Sequence, residues 1–161
     1  MTDSARELDL RHYSAEPFTF DPTHEYAARP GAFKPPGFWL SVAGEDDWPA
    51  WCHGEDWGLD RLALEHKVTL KPSANVLHVA DVDAFDLFDR SLPWGRHPTL
   101  GEYERNWAHI RAEFDGVTIA PYQWERRLEV MWYYGWDCAS GVIWNLDAIE
   151  AVTLMAQVNP S

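Results

Sequence analysis

The chain has 161 residues, 46 % of them hydrophobic and 24 % charged, which suits a single domain over 1–161 with a sizeable core. Lys and Arg number 13 against 26 Asp and Glu, and the resulting net charge of −13 argues against direct binding to phosphate backbones. No run approaches about 18 apolar residues, no basic end precedes an apolar stretch at the N-terminus, and two cysteines do not make a disulfide framework, so the expectation is a reduced, cytoplasmic protein with no membrane span and no secretory signal.

Residues 8–20 alternate loosely and predict one or two short strands, with His12 and Tyr13 on the first. Residues 21–36 carry Pro22, Pro30, Gly31, Pro35 and Pro36 and predict an extended loop. Phe38 to Val42 reads as a buried strand launched by Gly37. Glu45, Asp46 and Asp47 then place acids at the start of a short helix carrying Trp48 and Trp51, where the dipole favours them. Leu64–Leu70 and Asn75–Ala80 read as strands, and Pro72-Ser73-Ala74 between them reads as a hairpin or tight connection.

Asp81 can cap a helix running to Arg90, with Val82, Phe85, Leu87 and Phe88 inward. Residues 91–98 hold two prolines and a glycine and read as a loop. Thr99 is expected to cap a longer helix, because Leu100, Tyr103, Trp107, Ile110 and Phe114 recur at spacings of three and four. Asp115-Gly116 ends it and turns into a strand over Val117–Ala120. Residues 128–134 are apolar and fit strand or helix. Val142 to Trp144 reads as a strand, and Asp147–Met155 as helix, strand or both in turn. The pattern is α+β with three or four helices.

The segment Trp132-Tyr133-Tyr134-Gly135-Trp136-Asp137-Cys138-Ala139-Ser140-Gly141-Val142-Ile143-Trp144-Asn145 is the densest in chemistry. Its large rings surround an acid, a thiol and a hydroxyl, and two glycines bend the backbone between them. Rings with a few polar groups among them are the composition of a pocket for a flat, polar ligand.

Several pieces in order carry a resemblance: His12-Tyr13-Ser14; Lys34-Pro35-Pro36-Gly37-Phe38-Trp39-Leu40-Ser41; the pair Val68-Thr69-Leu70 and Asn75 to Val79; Phe114 to Tyr122; and Val142 to Ile149. This order resembles the ADP-ribosyltransferase fold, two small packed sheets, antiparallel or mixed, that grip NAD in the cleft between them. The block WYYGWDCASGVIWN also resembles a set of small uncharacterised phage and prophage proteins, which would put this one in the host cytoplasm. The transferase resemblance implies NAD as substrate; no metal is expected. It implies that His12 orients the dinucleotide and that Trp39 or Ser41 supports the nicotinamide. One of Tyr133, Tyr134 and Trp136 would complete the ring sandwich. The family's glutamate falls in the register of Ser140, so Asp137, three residues earlier, is the substitute acid, with Ser140 assisting. A carboxylate near the reactive ribose would stabilise the cationic sugar as nicotinamide leaves. ADP-ribose would pass to a protein, a nucleic acid or water.

Other readings stand beside it. A non-enzymatic acidic phage protein could bind and inhibit a host factor as a nucleic-acid mimic. Cys138 with His12 and Asp137 could form a nucleophilic site, although the adjacent acid would raise the thiol pKa. Cys52-His53 and His66 lack paired metal-ligand spacing. His78 reads as a half-buried structural residue. Acidic stretches around Glu45, Glu55 and Asp81–Asp89 read as solvated faces. Lys34, Arg126 and Arg127 are candidates for the pyrophosphate, ahead of Arg11, which alternation puts on the strand face opposite His12.

Overall fold

Short runs rich in β-branched and aromatic residues make most of the sheet strands, and aspartate caps start the two longest helices. The computed structural model describes residues 7–27, 34–97, 101–105 and 107–157. In chain order its strands are β1 (Leu10–Ser14), β2 (Phe38–Val42), β3 (Leu64–Leu70), β4 (Val76–Val79), β5 (Trp94–His97), β6 (Gly101–Arg105), β7 (Gly116–Ile119), β8 (Ser140–Ile143) and β9 (Ile149–Gln157). The helices are α1 (Trp48–Glu55), α2 (Val82–Ser91), α3 (Ala108–Glu113) and α4 (Met131–Tyr134), so the α+β class with four helices holds among the described residues.

Seven strands join one mixed sheet in the order β4-β7-β8-β2-β1-β3-β9, and β5 pairs only with β6. The expected division into two small packed sheets is therefore not what the strands form. The reason lies in β2, which pairs with β1 on one side and β8 on the other and fuses early and late strands into one layer. β4 and β7 run parallel, and α2, the β5–β6 hairpin and α3 make the crossover between them. β3 and β4 do not form a hairpin: they sit near opposite edges. The long helix expected from Thr99 is confined to α3, and the first part of that stretch pairs as β6. Gly101 penalises a helix at that point by roughly 1 kcal/mol, and strand pairing with β5 competes with it. Thr99 and Leu100 lie outside the described residues.

The caps behave as local chemistry dictates. Asp81 Oδ1 accepts from the Ala84 amide at 2.7 Å and starts α2. Asp47 Oδ1 accepts from the Ala50 amide at 3.0 Å, Pro49 occupies the first turn of α1, and Asp56 closes that helix at φ 48°. The first amide of α1 also donates to Ser41 Oγ at 2.9 Å, which docks the helix onto the centre of the sheet.

Pairing register sorts side chains between two faces. Trp39, Ser41, Ser140, Val142, Val117 and Ile119 share one face. An aromatic cluster covers it: Trp136 meets Trp39 edge-on at 4.8 Å, and Trp132, Tyr133, Phe85 and Trp107 continue the packing. The opposite face carries Phe38, Leu40, Val42, Leu10 and His66, and Phe18 and Phe20 from the following segment close over Phe38 and His66. Close strand approach explains Gly141 at the centre: a Cβ there would sit 2.7 Å from both Thr118 Cγ2 and the Val117 carbonyl oxygen. Asp115 ties the strand ends together, accepting from the Asn75 amide at 2.8 Å and from Asn145 Nδ2 at 2.7 Å.

Candidate active site

A cavity of about 280 Å³ opens on the sheet face that carries Trp39 and Ser41. β2 contributes Trp39 and Ser41, β1 contributes Arg11 and Tyr13, and β8 contributes Ser140. Trp48 enters from α1, Arg61 from the 3-10 turn Leu59–Leu62, and Trp136, Asp137 and Cys138 from the loop before β8. Lys34 stands at the start of the segment leading to β2.

Of the eight side chains expected at the site, the cavity lining includes six: His12, Trp39, Ser41, Trp136, Asp137 and Ser140. They do not all present their functional groups to it. His12 borders the cavity, but its ring stacks on Phe38 at 4.3 Å and lies beside Phe18 on the other face of the sheet. Its Nδ1–H donates to the Trp39 carbonyl at 2.8 Å, and burial lowers its pKa. Strand alternation turns the neutral His12 imidazole, expected to orient a dinucleotide, toward Phe38, while Arg11 and Tyr13 share the opposite face with Ser41. Tyr133 lies outside the lining. It is fully buried, stacks on Tyr122 at 5.1 Å, and its hydroxyl accepts from the Gln123 amide at 2.9 Å, so it is core. Tyr134 is exposed and its ring lies 5.3 Å from the Arg127 guanidinium, outside the lining.

The polar groups that remain have definite partners. Ser140 Oγ donates to the Cys138 carbonyl at 3.0 Å, and Ser41 Oγ receives the Trp48 amide. Asp137 pairs with Arg127 Nη2 at 3.6 Å. Desolvation raises the Asp137 pKa, and the charges of Lys34 and Arg127 pull it back. Burial pushes the Cys138 thiol up to about 12, so it is protonated near neutral pH and carries no nucleophile there. Trp136 is 1 % exposed, and its indole N–H has no hydrogen-bond partner among the described residues.

The cations divide clearly. Arg126 is held outside the cavity by Asp86, at 2.8 and 2.9 Å, and by Glu129. Arg127 donates to Tyr122 Oη at 2.8 Å and faces Asp137. Arg11 lines the cavity while bonded to Asp9 at 2.7 and 3.0 Å and close to Glu65. Arg61 lies 4.6 Å from the Trp57 ring centroid, beside the stacked pair Trp48 and Trp51. Arg11, Arg61, Tyr13 and Trp48 were not expected to lead the site. Arg11 and Tyr13 could have been found from alternation once Ser41 was known to pair with Arg11. Arg61 and Trp48 depend on how α1 folds over the sheet, which no local pattern states.

No family model matches the chain, and neither a curated protein nor a solved structure does. Among the described residues no group of three or more His, Cys, Asp or Glu side chains is placed to hold a metal ion, and no helix is long and apolar enough to cross a membrane.

Proposed function

We propose that this cavity binds the nicotinamide-riboside end of NAD, and that the protein is ADP-ribosyltransferase-like in its chemistry. One observation carries the reading. A chain of net charge −13 gathers Arg11, Lys34 and Arg61 beside Trp39, Trp48 and Trp136, with Asp137 as the cavity's carboxylate. Indoles that stack a flat ring, cations that meet a phosphate and an acid that meets a sugar are the three needs of a nucleotide. A cavity of about 280 Å³ suits a ring and its sugar, with the diphosphate leaving along the side of Arg11 and Arg61.

In this reading the Trp39 face holds the nicotinamide, and Trp136, packed edge-on against it at 4.8 Å, fixes the orientation of that indole. Asp137 lies beside the ribose. As the glycosidic C–N bond breaks, its electron pair leaves with nicotinamide, and the carboxylate stabilises the positive charge developing on the sugar. An acceptor on a protein, a nucleic acid or water then takes the ADP-ribose. Asp137 must let go of Arg127 to serve this role, and a 3.6 Å contact is a loose one.

A second reading draws on Trp124, Leu128, Met131 and Tyr134, which are exposed along one short segment and mark a surface for a protein partner without catalysis. Calorimetric titration with NAD, followed by an assay of nicotinamide release, separates the two. The transferase reading expects NAD binding and release that Asp137→Ala abolishes. A folded protein that ignores millimolar NAD ends that reading and favours the partner surface.

A further inference from the structure

Lys34 lies against the wall of the cavity where a ligand ring would lie. Its Nζ is 5.1 Å from the centroid of the Trp39 ring, within cation–π range. The stem reaches this position across Gly135: a Cβ built on that glycine would lie 3.3 Å from Lys34 Cε. A Cβ at 135 would require the lysine stem to shift by a few tenths of an ångström.

What holds the ammonium there is the ring and the field of Asp137, not a contact ion pair. Asp137 has its ion pair with Arg127, and among the described residues no carboxylate lies within 4.0 Å of Lys34 Nζ. Desolvation lowers the Lys34 pKa, and the negative charge of Asp137 raises it again. The lysine therefore gives up part of its hydration to sit over an indole face with a carboxylate nearby. A flat organic cation would use the same two attractions and would stack on the ring more completely than an ammonium does.

We propose that the Trp39 wall is a subsite for a planar organic cation and that Lys34 is its internal occupant, displaced when the ligand binds. The proposal rests on reading the cavity as a ligand site and deepens it. It assigns the class of the ring as a pyridinium, the charged ring of an oxidised dinucleotide, over the neutral ring of the reduced one. Specificity comes from the Trp39 face and the Asp137 charge: a neutral ring of the same shape gains nothing from the carboxylate.

Binding of 1-methylnicotinamide, a cationic ring without phosphate, and of neutral nicotinamide tests this in the wild type, Lys34→Met and Trp39→Leu. Lys34→Met removes the internal competitor for both rings and the repulsion of the displaced ammonium for the cation alone, so it should tighten the methylated ring by on the order of tenfold and nicotinamide clearly less. Trp39→Leu should lose the preference for the cation. Lys34→Arg keeps the charge and should retain the wild-type affinity, which covers any disturbance caused by methionine. The proposal is overturned if Lys34→Met leaves the methylated ring unchanged, tightens both rings alike, or if neither protein binds the cation. NAD that fails to bind while the rings behave as stated removes the nucleotide reading and leaves the cation subsite. NAD that binds while Lys34→Met changes nothing does the reverse.

Discussion

Trp132 and Trp136 are the same side chain in the same aromatic cluster, yet replacing each with Phe should have opposite consequences. They are 2 % and 1 % exposed and lie 5.8 Å apart, ring to ring. Trp132 Nε1 donates to Asp89 Oδ1 at 2.8 Å, whereas Trp136 Nε1 has no partner among the described residues. Trimming indole to phenyl opens about 40 Å³, which at roughly 24 cal/mol per Å³ costs about 1 kcal/mol at either site. Trp132→Phe also loses a hydrogen bond to a carboxylate, about 1.5–3 kcal/mol, for a total near 2.5–4 kcal/mol. Trp136→Phe removes an unsatisfied buried donor whose burial cost about 1–3 kcal/mol, so its net effect lies between neutral and about 2 kcal/mol stabilising. Urea unfolding at unchanged slope gives both numbers. The gap should be at least about 2 kcal/mol, and a Trp136→Phe variant as destabilised as Trp132→Phe would refute the reasoning. The orphan N–H is closed off from the cavity and Trp136 only backs Trp39, so the same variant should leave NAD binding nearly unchanged while folding at least as well.

Two further outcomes follow from burial. The Cys138 thiol, raised to about 12, should resist iodoacetamide in the native protein near pH 8 and react only after unfolding; rapid native labelling would restore the cysteine-nucleophile reading. His12 and His78 have lowered pKa values, both chiefly through burial. The unfolded chain then binds protons first as pH falls, so their contribution to stability is constant above about 6.5 and is lost from there down to the native pKa. Urea midpoints at about pH 7.5 and about pH 5.5 should show a smaller acid-side loss in His12→Phe than in the wild type, and an equal loss would contradict the assignment of a neutral buried ring.

Much of the secondary structure was legible because its causes are local. Leu64–Leu70 alternates buried and outward residues, and the strand occupies that span. Asp81 announces α2 because a short acid before an apolar helix has one good use, and Asp115-Gly116 turns the chain into β7 for a comparable reason. Sheet order was not legible. No local pattern tells β2 to pair with both β1 and β8, and that pairing decides which face of β1 looks into the cavity. The alternation of Arg11 and His12 was correctly read, but their roles were exchanged because the cavity lies on the arginine's side. Tyr133 and Tyr134 show the same limit. Adjacent rings in a short helix diverge, one into the core and one to solvent, and only the packing of Phe85 and Tyr122 selects which. Trp39, Ser41, Trp136, Asp137 and Ser140 did come together, since they sit on or directly before two strands that pair residue for residue.

The ten tryptophans make the central claim directly observable, because each indole N–H gives its own signal in a proton–nitrogen correlation spectrum. Titration with NAD should move the signals of Trp39, Trp48 and Trp136 together, with a single affinity, and leave Trp144, which lies beyond the opposite end of β8 from Ser140 with its N–H bonded to the Phe114 carbonyl at 2.6 Å, in place. Signals that stay fixed at millimolar NAD, or shifts confined to tryptophans outside the cavity, would contradict the account.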